Sequence, residues 1–189
     1  MSAFDFLNQR TSLPARQLGA PGPDADQLDA LLHLALRVPD HGKLTPWRLL
    51  LLRGPDKALL GQRLTELHQR IDPDLSDAKI AKDRERYNHA PVVITVISLR
   101  QAEHPKVPEQ EQLLSAGCVA YNLLLGAQAL GFAAQWLTGW AAYDRDAASL
   151  LGLADNEHII GFVHIGTPAM QALQRERPSI ADKVSTWTP

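Results

Sequence analysis

Two short clusters of basic and hydroxyl side chains carry residue types that bind anions. The first is Arg-Thr-Ser at 10–12, where a guanidinium offers paired N–H donors and two hydroxyls add neutral ones. The second is RVPDHGKLTPW at 37–47. Each alone has a simpler explanation, namely a helix end with a dipole-matched arginine, or a solvated loop with Trp47 in the core. Together they predict a site for a small anionic group.

The usual signatures of side-chain catalysis and metal binding do not occur in the sequence. It has no Gly-rich phosphate loop, no G-x-S-x-G nucleophile motif and no H-E-x-x-H zinc motif. Cys118 is the only cysteine, and we interpret it as an inert thiol on a predicted helix. His158 and His164 are interpreted as partly exposed histidines on one face of a strand. We therefore expect no metal and no catalytic side chain, but a cofactor that carries the chemistry.

Both clusters directly follow predicted helices. Residues 3–9 form a short amphipathic helix with Phe4 and Leu7 expected to point inward. Asp24 caps a second helix, in which leucines recur at helical spacing. Pro39 stops this second helix, so the second cluster begins where the helix ends.

The remaining pattern mixes strands and helices without a regular alternation. The predicted strands are 47–53, 91–98, a strand leading into a loop within 132–140, and 158–166. Four further helices are predicted. The first begins at Pro55, and the second is a charged segment within 74–88 that lies largely in solvent. The third spans 110–130, and the fourth begins near Asp144. The continuous β-branched run at 91–98 is typical of a central strand. This order favours an α+β fold, with a small sheet packed with helices and a core that dimerisation completes.

Composition excludes several classes of protein. The chain has 189 residues, 45% of them hydrophobic, which predicts one globular domain over 1–189. Its net charge of -2 gives no reason to expect a nucleic-acid partner. The apolar stretch 113–134 contains polar residues and glycines, so we expect a buried helix and no membrane span. The single cysteine and the absence of a signal peptide favour the cytoplasm.

The clusters resemble the flavin mononucleotide (FMN) motifs of the nitroreductase family. That family has Arg-x-Ser after its first helix and R-x-P-(S/D)-x-x-x-x-Q-P-W after the next. Residues 104–139 resemble its central helix and following strand, and IIGFVHIGTP at 159–168 resembles its last core strand. The resemblance spans nearly the whole chain and is closest to the small members of the family.

The resemblance implies a nitroreductase-like α+β homodimer, with a mostly antiparallel central sheet and two FMN sites at the interface. The phosphate and ribityl chain would contact one subunit through Arg10, Thr11 and Ser12. The other subunit would contribute Arg37, Pro39, Asp40 and His41. The isoalloxazine ring would lie along Gln135, Trp136, Leu137, Thr138 and Gly139.

The implied activity is that of an FMN-dependent NAD(P)H oxidoreductase. Hydride would pass from the nicotinamide to flavin N5, and then to a nitroaromatic, quinone or similar small-molecule acceptor, in a ping-pong mechanism. Two alternatives stay open. One is a flavin-binding or flavin-remodelling protein without reductase activity, and the other is an interaction module that uses the helix within 74–88.

Three features depart from the family pattern. Thr45 stands where glutamine is usual, and Leu137 stands where the small members often carry a basic residue. Larger members bring further cations to the phosphate from the C-terminal segment. The candidates for that role here are Arg175, Arg177 and Lys183.

Overall fold

The computed structural model describes residues 2–189, which form six α-helices and five strands. The helices are α1 (Ala3–Asn8), α2 (Ala25–Ala35), α3 (Asp56–Ile71), α4 (Asp77–Glu85), α5 (Glu109–Ala129) and α6 (Arg145–Leu150). The strands are β1 (Leu18–Gly19), β2 (Trp47–Arg53), β3 (Val92–Leu99), β4 (Ala133–Leu137) and β5 (Glu157–Pro168). Each predicted helix and strand is present, with boundaries shifted by a few residues.

The five strands form one antiparallel sheet. β3 pairs with β2 on one side and with β5 on the other, and β4 pairs with β5. All residues of β3 except the last are buried, as expected for a central strand. The short β1 pairs with the end of β5 and was not predicted, since two residues carry no periodic pattern. The prediction of an α+β fold with a small antiparallel sheet is confirmed.

Helices cover both faces of the sheet because the side chains of β3 alternate between two cores. Ile94 and Val96 pack with residues of α2 and α5 on one face. Val93 and Ile97 pack on the other face, with leucines of α3 and alanines of α6. The long helix α5 therefore lies directly behind the strands that carry the predicted site segment.

A bulge in β5 corrects the interpretation of the two strand histidines. Val96 pairs with Gly161 whereas Ile97 pairs with Ile159, so one residue of β5 is extra at this point. An extra residue shifts the alternation of side chains, and His158 and His164 therefore do not share a face. His164 is fully buried, so the expectation that both histidines are partly exposed is wrong.

Two helices differ from the sequence expectation in burial. α1 has the expected short length, but Phe4 is 76% and Leu7 is 49% exposed, so neither side chain points into the core of the chain. α4 was expected to lie largely in solvent, yet it buries Asp83, and Tyr87 just after it is also buried. The polar composition of α4 gave no sign of a buried face, because the residue that α4 buries is itself charged.

Residues 2–189 include no helix with the length and apolarity that a membrane crossing requires. The same residues contain no group of three or more His, Cys, Asp and Glu side chains placed to hold a metal ion.

Candidate functional site

The loop after α2 is attached to α5 through its backbone carbonyls. Ser115 Oγ donates to the Pro39 carbonyl at 2.7 Å and accepts from Trp47 Nε1 at 3.0 Å. About two helix turns further on, Asn122 Nδ2 donates to the Arg37 carbonyl at 3.0 Å. These bonds use carbonyls that the end of α2 and Pro39 leave free of helical partners. The loop is therefore held in one shape against α5.

Side chains within the loop fix its shape further. His41 Nδ1 lies 2.6 Å from the Glu111 carboxylate of α5, and Asp40 Oδ2 accepts from the Thr45 backbone N–H at 2.8 Å. Gly42 and Thr45 both have positive φ, at 67° and 49°. Glycine adopts this conformation readily, whereas in threonine it has a steric cost that the hydrogen bond from the Thr45 N–H to Asp40 helps to offset. Thr45, which departs from the family pattern, is thus part of the internal frame of the loop.

The first cluster lies beside the C-terminal segment. Arg10 Nη1 donates to Ser12 Oγ at 3.2 Å, and Arg177 Nη2 donates to the Arg10 carbonyl at 2.9 Å. Thr11 lines an adjacent cavity of about 230 Å³ that also includes Met170 of the same segment. Of the three C-terminal cations, Arg177 is the one that this contact brings to the first cluster. Sequence reasoning could not select it, because the contact joins positions 167 residues apart.

The segment after α5 presents alternate residues to opposite faces of β4. Gln135 Oε1 accepts from the Ala15 backbone N–H at 2.6 Å, which ties the chain after the first cluster to β4. Trp136 faces the other way and donates from Nε1 to the Ile160 carbonyl at 3.1 Å. Leu137 faces the same side as Gln135, and Thr138 follows as a half-buried residue. Both faces of the predicted ring segment are therefore anchored to the fold.

A cavity of about 410 Å³ opens on the Gln135 face of β4, and its charged lining residues are all basic. The lining residues are Pro14, Ala15, Arg16, Lys82, Arg86, His89, Gln135 and Leu137. Lys82 and Arg86 were not predicted as site residues, because α4 was interpreted as a solvent-exposed helix. Their spacing of four on one helix is the signal that could have found them. The cavity supplies positive charge where Leu137 itself has none.

Gly139 is required where β4 ends. Its φ is +76°, and a Cβ at this position would lie 3.0 Å from Arg86 Nη1. The Arg86 guanidinium therefore packs directly over the glycine backbone, in the space that a side chain would occupy.

A second polar cavity, of about 530 Å³, lies at the other end of β5 and differs in its charge balance. Arg48 of β2 donates to both carboxylate oxygens of Glu157, at 2.6 and 2.8 Å. This bidentate pair holds the pKa of Glu157 at about 2. Arg145 donates to the Glu157 carbonyl at 3.0 Å. Acids and bases satisfy one another here, so this cavity lacks the excess positive charge of the β4 cavity.

Within one chain, the two anion-binding clusters approach α5 at different positions. The second cluster contacts α5 at Ser115, which donates to the Pro39 carbonyl. The first cluster follows α1, and the Phe6 carbonyl of α1 accepts from Gln128 Nε2 at 3.2 Å. Ser115 and Gln128 are separated by about 20 Å along the axis at 1.5 Å per residue. The two segments therefore contact different stretches of α5: the loop after α2 contacts it from Glu111 to Asn122, and the chain before Arg10 contacts it at Gln128.

The sequence model of the nitroreductase family matches residues 7–167, which include both clusters and β4. The chain belongs to the nitroreductase family. It is 35% identical over 176 residues to a Haemophilus influenzae protein named as a candidate NAD(P)H nitroreductase, with 93% of each chain covered. The protein is accordingly an oxidoreductase, and the predicted family and enzyme class are confirmed.

Solved structures agree with this family fold. A nitroreductase-like family protein from Bacillus cereus superposes with a TM-score of 0.81 at 22% identity, covering 98% of this chain and 96% of that one. A nitroreductase with bound FMN from Bacteroides fragilis superposes with a TM-score of 0.73 at 22% identity, with both chains covered completely. Arg177 of the present chain lies beyond residues 7–167, the segment that the family model matches.

Proposed function

We propose that this protein is an FMN-dependent NAD(P)H oxidoreductase that acts as a cytoplasmic homodimer of one-domain subunits and reduces nitroaromatics, quinones or similar acceptors. The observation that carries the proposal is the basic cavity on the Gln135 face of β4, to which the chain after the first cluster is tied by the hydrogen bond between Ala15 and Gln135. A relative whose name includes NAD(P)H nitroreductase and a structural neighbour with bound FMN support the same conclusion.

The residues of the first cluster fit the phosphate of FMN. A phosphate dianion prefers charge-assisted donors, and bidentate guanidinium contacts are the strongest of these in proteins. Arg10 and Arg177 would supply the charge, while Ser12 would add a neutral hydroxyl donor. Arg177 would thus take the part that C-terminal cations play in larger members of the family.

The residues around β4 fit a planar ring that gains electrons. When bound, FMN supplies the hydride chemistry itself, so the protein needs no covalent catalyst. The backbone of 135–139 would orient the ring, and its amide groups would donate toward the ring edge. The fixed turn at Gly139 and the packing of Trp136 keep this segment in place before the cofactor binds. The chain therefore contributes position, charge and exclusion of water.

The exposed apolar surface favours a homodimer. A cavity of about 580 Å³ along α5 has a mainly apolar lining that includes Leu113, Leu114, Tyr121 and Tyr143. The C-terminal segment also exposes large apolar side chains, and Trp187 is 83% exposed. Contiguous apolar surface of this kind marks an interaction site in a soluble protein. A second copy of the chain is the partner that the family fold favours.

A two-fold dimer would unite the two clusters. If the α5 helices of two subunits pack antiparallel, the Ser115 end of one lies against the Gln128 end of the other. The loop 37–45 of one subunit would then meet the Arg10 cluster of the other, as an isologous interface requires. Each dimer would hold two equivalent sites, with Arg37, Pro39, Asp40 and His41 contributed across the interface.

The cofactor assignment is tested by the absorbance spectrum of the purified protein. We expect a yellow protein that releases FMN, and no FAD, on denaturation. The proposal assigns the phosphate to the first cluster and the ring to β4, and the sequence has no fingerprint for the adenine of FAD. Chromatography of the released flavin distinguishes the two cofactors. A colourless protein that added FMN does not reconstitute would contradict the proposal.

Steady-state kinetics test the order of events. If nicotinamide and acceptor use the same ring face in turn, double-reciprocal plots at several acceptor concentrations give parallel lines. Intersecting lines would mean that both substrates bind together and would exclude a shared face. A yellow protein without NAD(P)H oxidation would instead support the alternative of a flavin-binding or flavin-remodelling protein.

A further inference from the structure

A buried carboxylate joins three elements next to the β4 cavity. Asp83 of α4 has an Oδ2 atom that lies 2.6 Å from His68 Nδ1 of α3 and accepts from Trp140 Nε1 at 3.1 Å. The His68 and Trp140 rings stack with centroids 4.3 Å apart. Trp140 directly follows Gly139, so Asp83 fixes the turn at the end of β4 against two helices. We call this group the Asp83 hub.

Arg86 lies one helix turn after Asp83 and is incompletely neutralised. Its Nη2 is 3.6 Å from Asp83 Oδ1, which exceeds the length of a charge-assisted hydrogen bond. The Arg86 side chain is only 18% exposed, and its guanidinium faces the cavity that Gln135 and Leu137 line. A largely buried cation with a distant, shared acid favours a further negative partner. The cavity is where such a partner has room.

The geometry points to Arg86 as a cofactor-contacting residue that stabilises the negative charge which the flavin ring gains on reduction, with the Asp83 hub as its positioning device. This inference rests on the proposed function. Hydride carries two electrons and one proton, so its transfer leaves one additional negative charge on the ring until a further proton arrives. Preorganised charge at such a position favours the reduced form over the oxidised form.

The phosphate is a less suitable partner for Arg86 than the ring. Arg10 and Arg177 already converge on the first cluster, and Arg86 instead packs on Gly139 within the segment predicted to contact the ring. The expected effect of Arg86 is therefore on the reduction potential of bound FMN, and only weakly on the binding of oxidised FMN.

The test compares Arg86→Met with Arg86→Lys and with Arg84→Met, which makes the same change of charge on α4 outside the cavity. The measurements are the dissociation constant of oxidised FMN and the two-electron potential of the bound flavin, by equilibration with a reference dye. We expect Arg86→Met to weaken reduced FMN about tenfold more than oxidised FMN, which lowers the potential by about 30 mV. Arg86→Lys should retain most of the potential, and Arg84→Met all of it.

An unchanged potential in Arg86→Met, with FMN still bound, would overturn this inference and leave the proposed function intact. A wild-type protein that does not bind FMN would instead overturn the proposed function.

The role of the Asp83 hub is tested by the direction in which a substitution at Asp83 shifts the reduction potential of the bound flavin. Removing the Asp83 charge in Asp83→Asn would by charge alone raise the potential, because a negative group near the ring disappears. If Asp83 positions Arg86, the potential should fall instead, since the ion pair that orients the Arg86 guanidinium is lost. Trp140→Phe removes one donor to Asp83 without altering charge, and we expect a smaller fall. A rise in Asp83→Asn together with no change in Trp140→Phe would overturn the positioning role.

Discussion

Replacing Arg10 by alanine is expected to weaken FMN binding by about 2–5 kcal/mol and to leave riboflavin binding nearly unchanged. The range is that for removing one partner of a buried charge pair, and riboflavin lacks the phosphate that would form the pair. Titration of the apoprotein with each flavin, followed by flavin fluorescence, measures both affinities. Equal losses for FMN and riboflavin would place Arg10 away from the phosphate.

Arg177→Ala provides a second test of the same phosphate site. Because Arg177 donates to the Arg10 carbonyl, its loss should also weaken FMN and spare riboflavin. Arg63→Ala is the matched control, since Arg63 is an exposed arginine on α3 outside the site. A loss in Arg63→Ala equal to that in Arg177→Ala would indicate a general effect of net charge.

The parts of the fold that follow from local sequence were predictable. The β-branched run of β3 and the proline after α2 each act within a few residues, so their patterns determine the strand and the helix end. The side chains that hold the loop after α2 were not predictable in the same way. Ser115, for example, reaches Pro39 across 76 positions, and only the packing of α2 on α5 makes that contact.

The residues of the candidate site show the same difference between local patterns and long-range contacts. Arg10 and the loop 37–47 lie in recognisable local motifs, whereas Arg86 and Arg177 enter through tertiary contacts. For Arg86 the sequence predicted a solvent-exposed position, because the charged composition of α4 is typical of a solvated helix. Burial of Asp83 by His68 and Trp140 turns that polar face inward, which a hydrophobic pattern cannot reveal.

The cross-subunit site predicts a specific stoichiometry when two defective variants are mixed. Arg10→Glu disrupts the first cluster, and Arg37→Glu combined with Asp40→Lys disrupts the second. Each homodimer should lose FMN at both sites. In a mixed dimer an isologous interface places both defects in one site and leaves the other site intact.

Co-refolding equal amounts of the two variants should therefore restore bound FMN to about a quarter of the wild-type level, because about half of the dimers are mixed and each of these has one intact site. Subunits with different tags allow the mixed dimer to be isolated, and its flavin content should then be close to one FMN per dimer. The mixed dimer also separates the two arrangements of the site. If Arg10 and the 37–45 loop served the same site within one chain, every site would carry one of the two defects. Mixed dimers that form but bind no FMN would thus rule out the arrangement in which α5 brings the two clusters together across the interface.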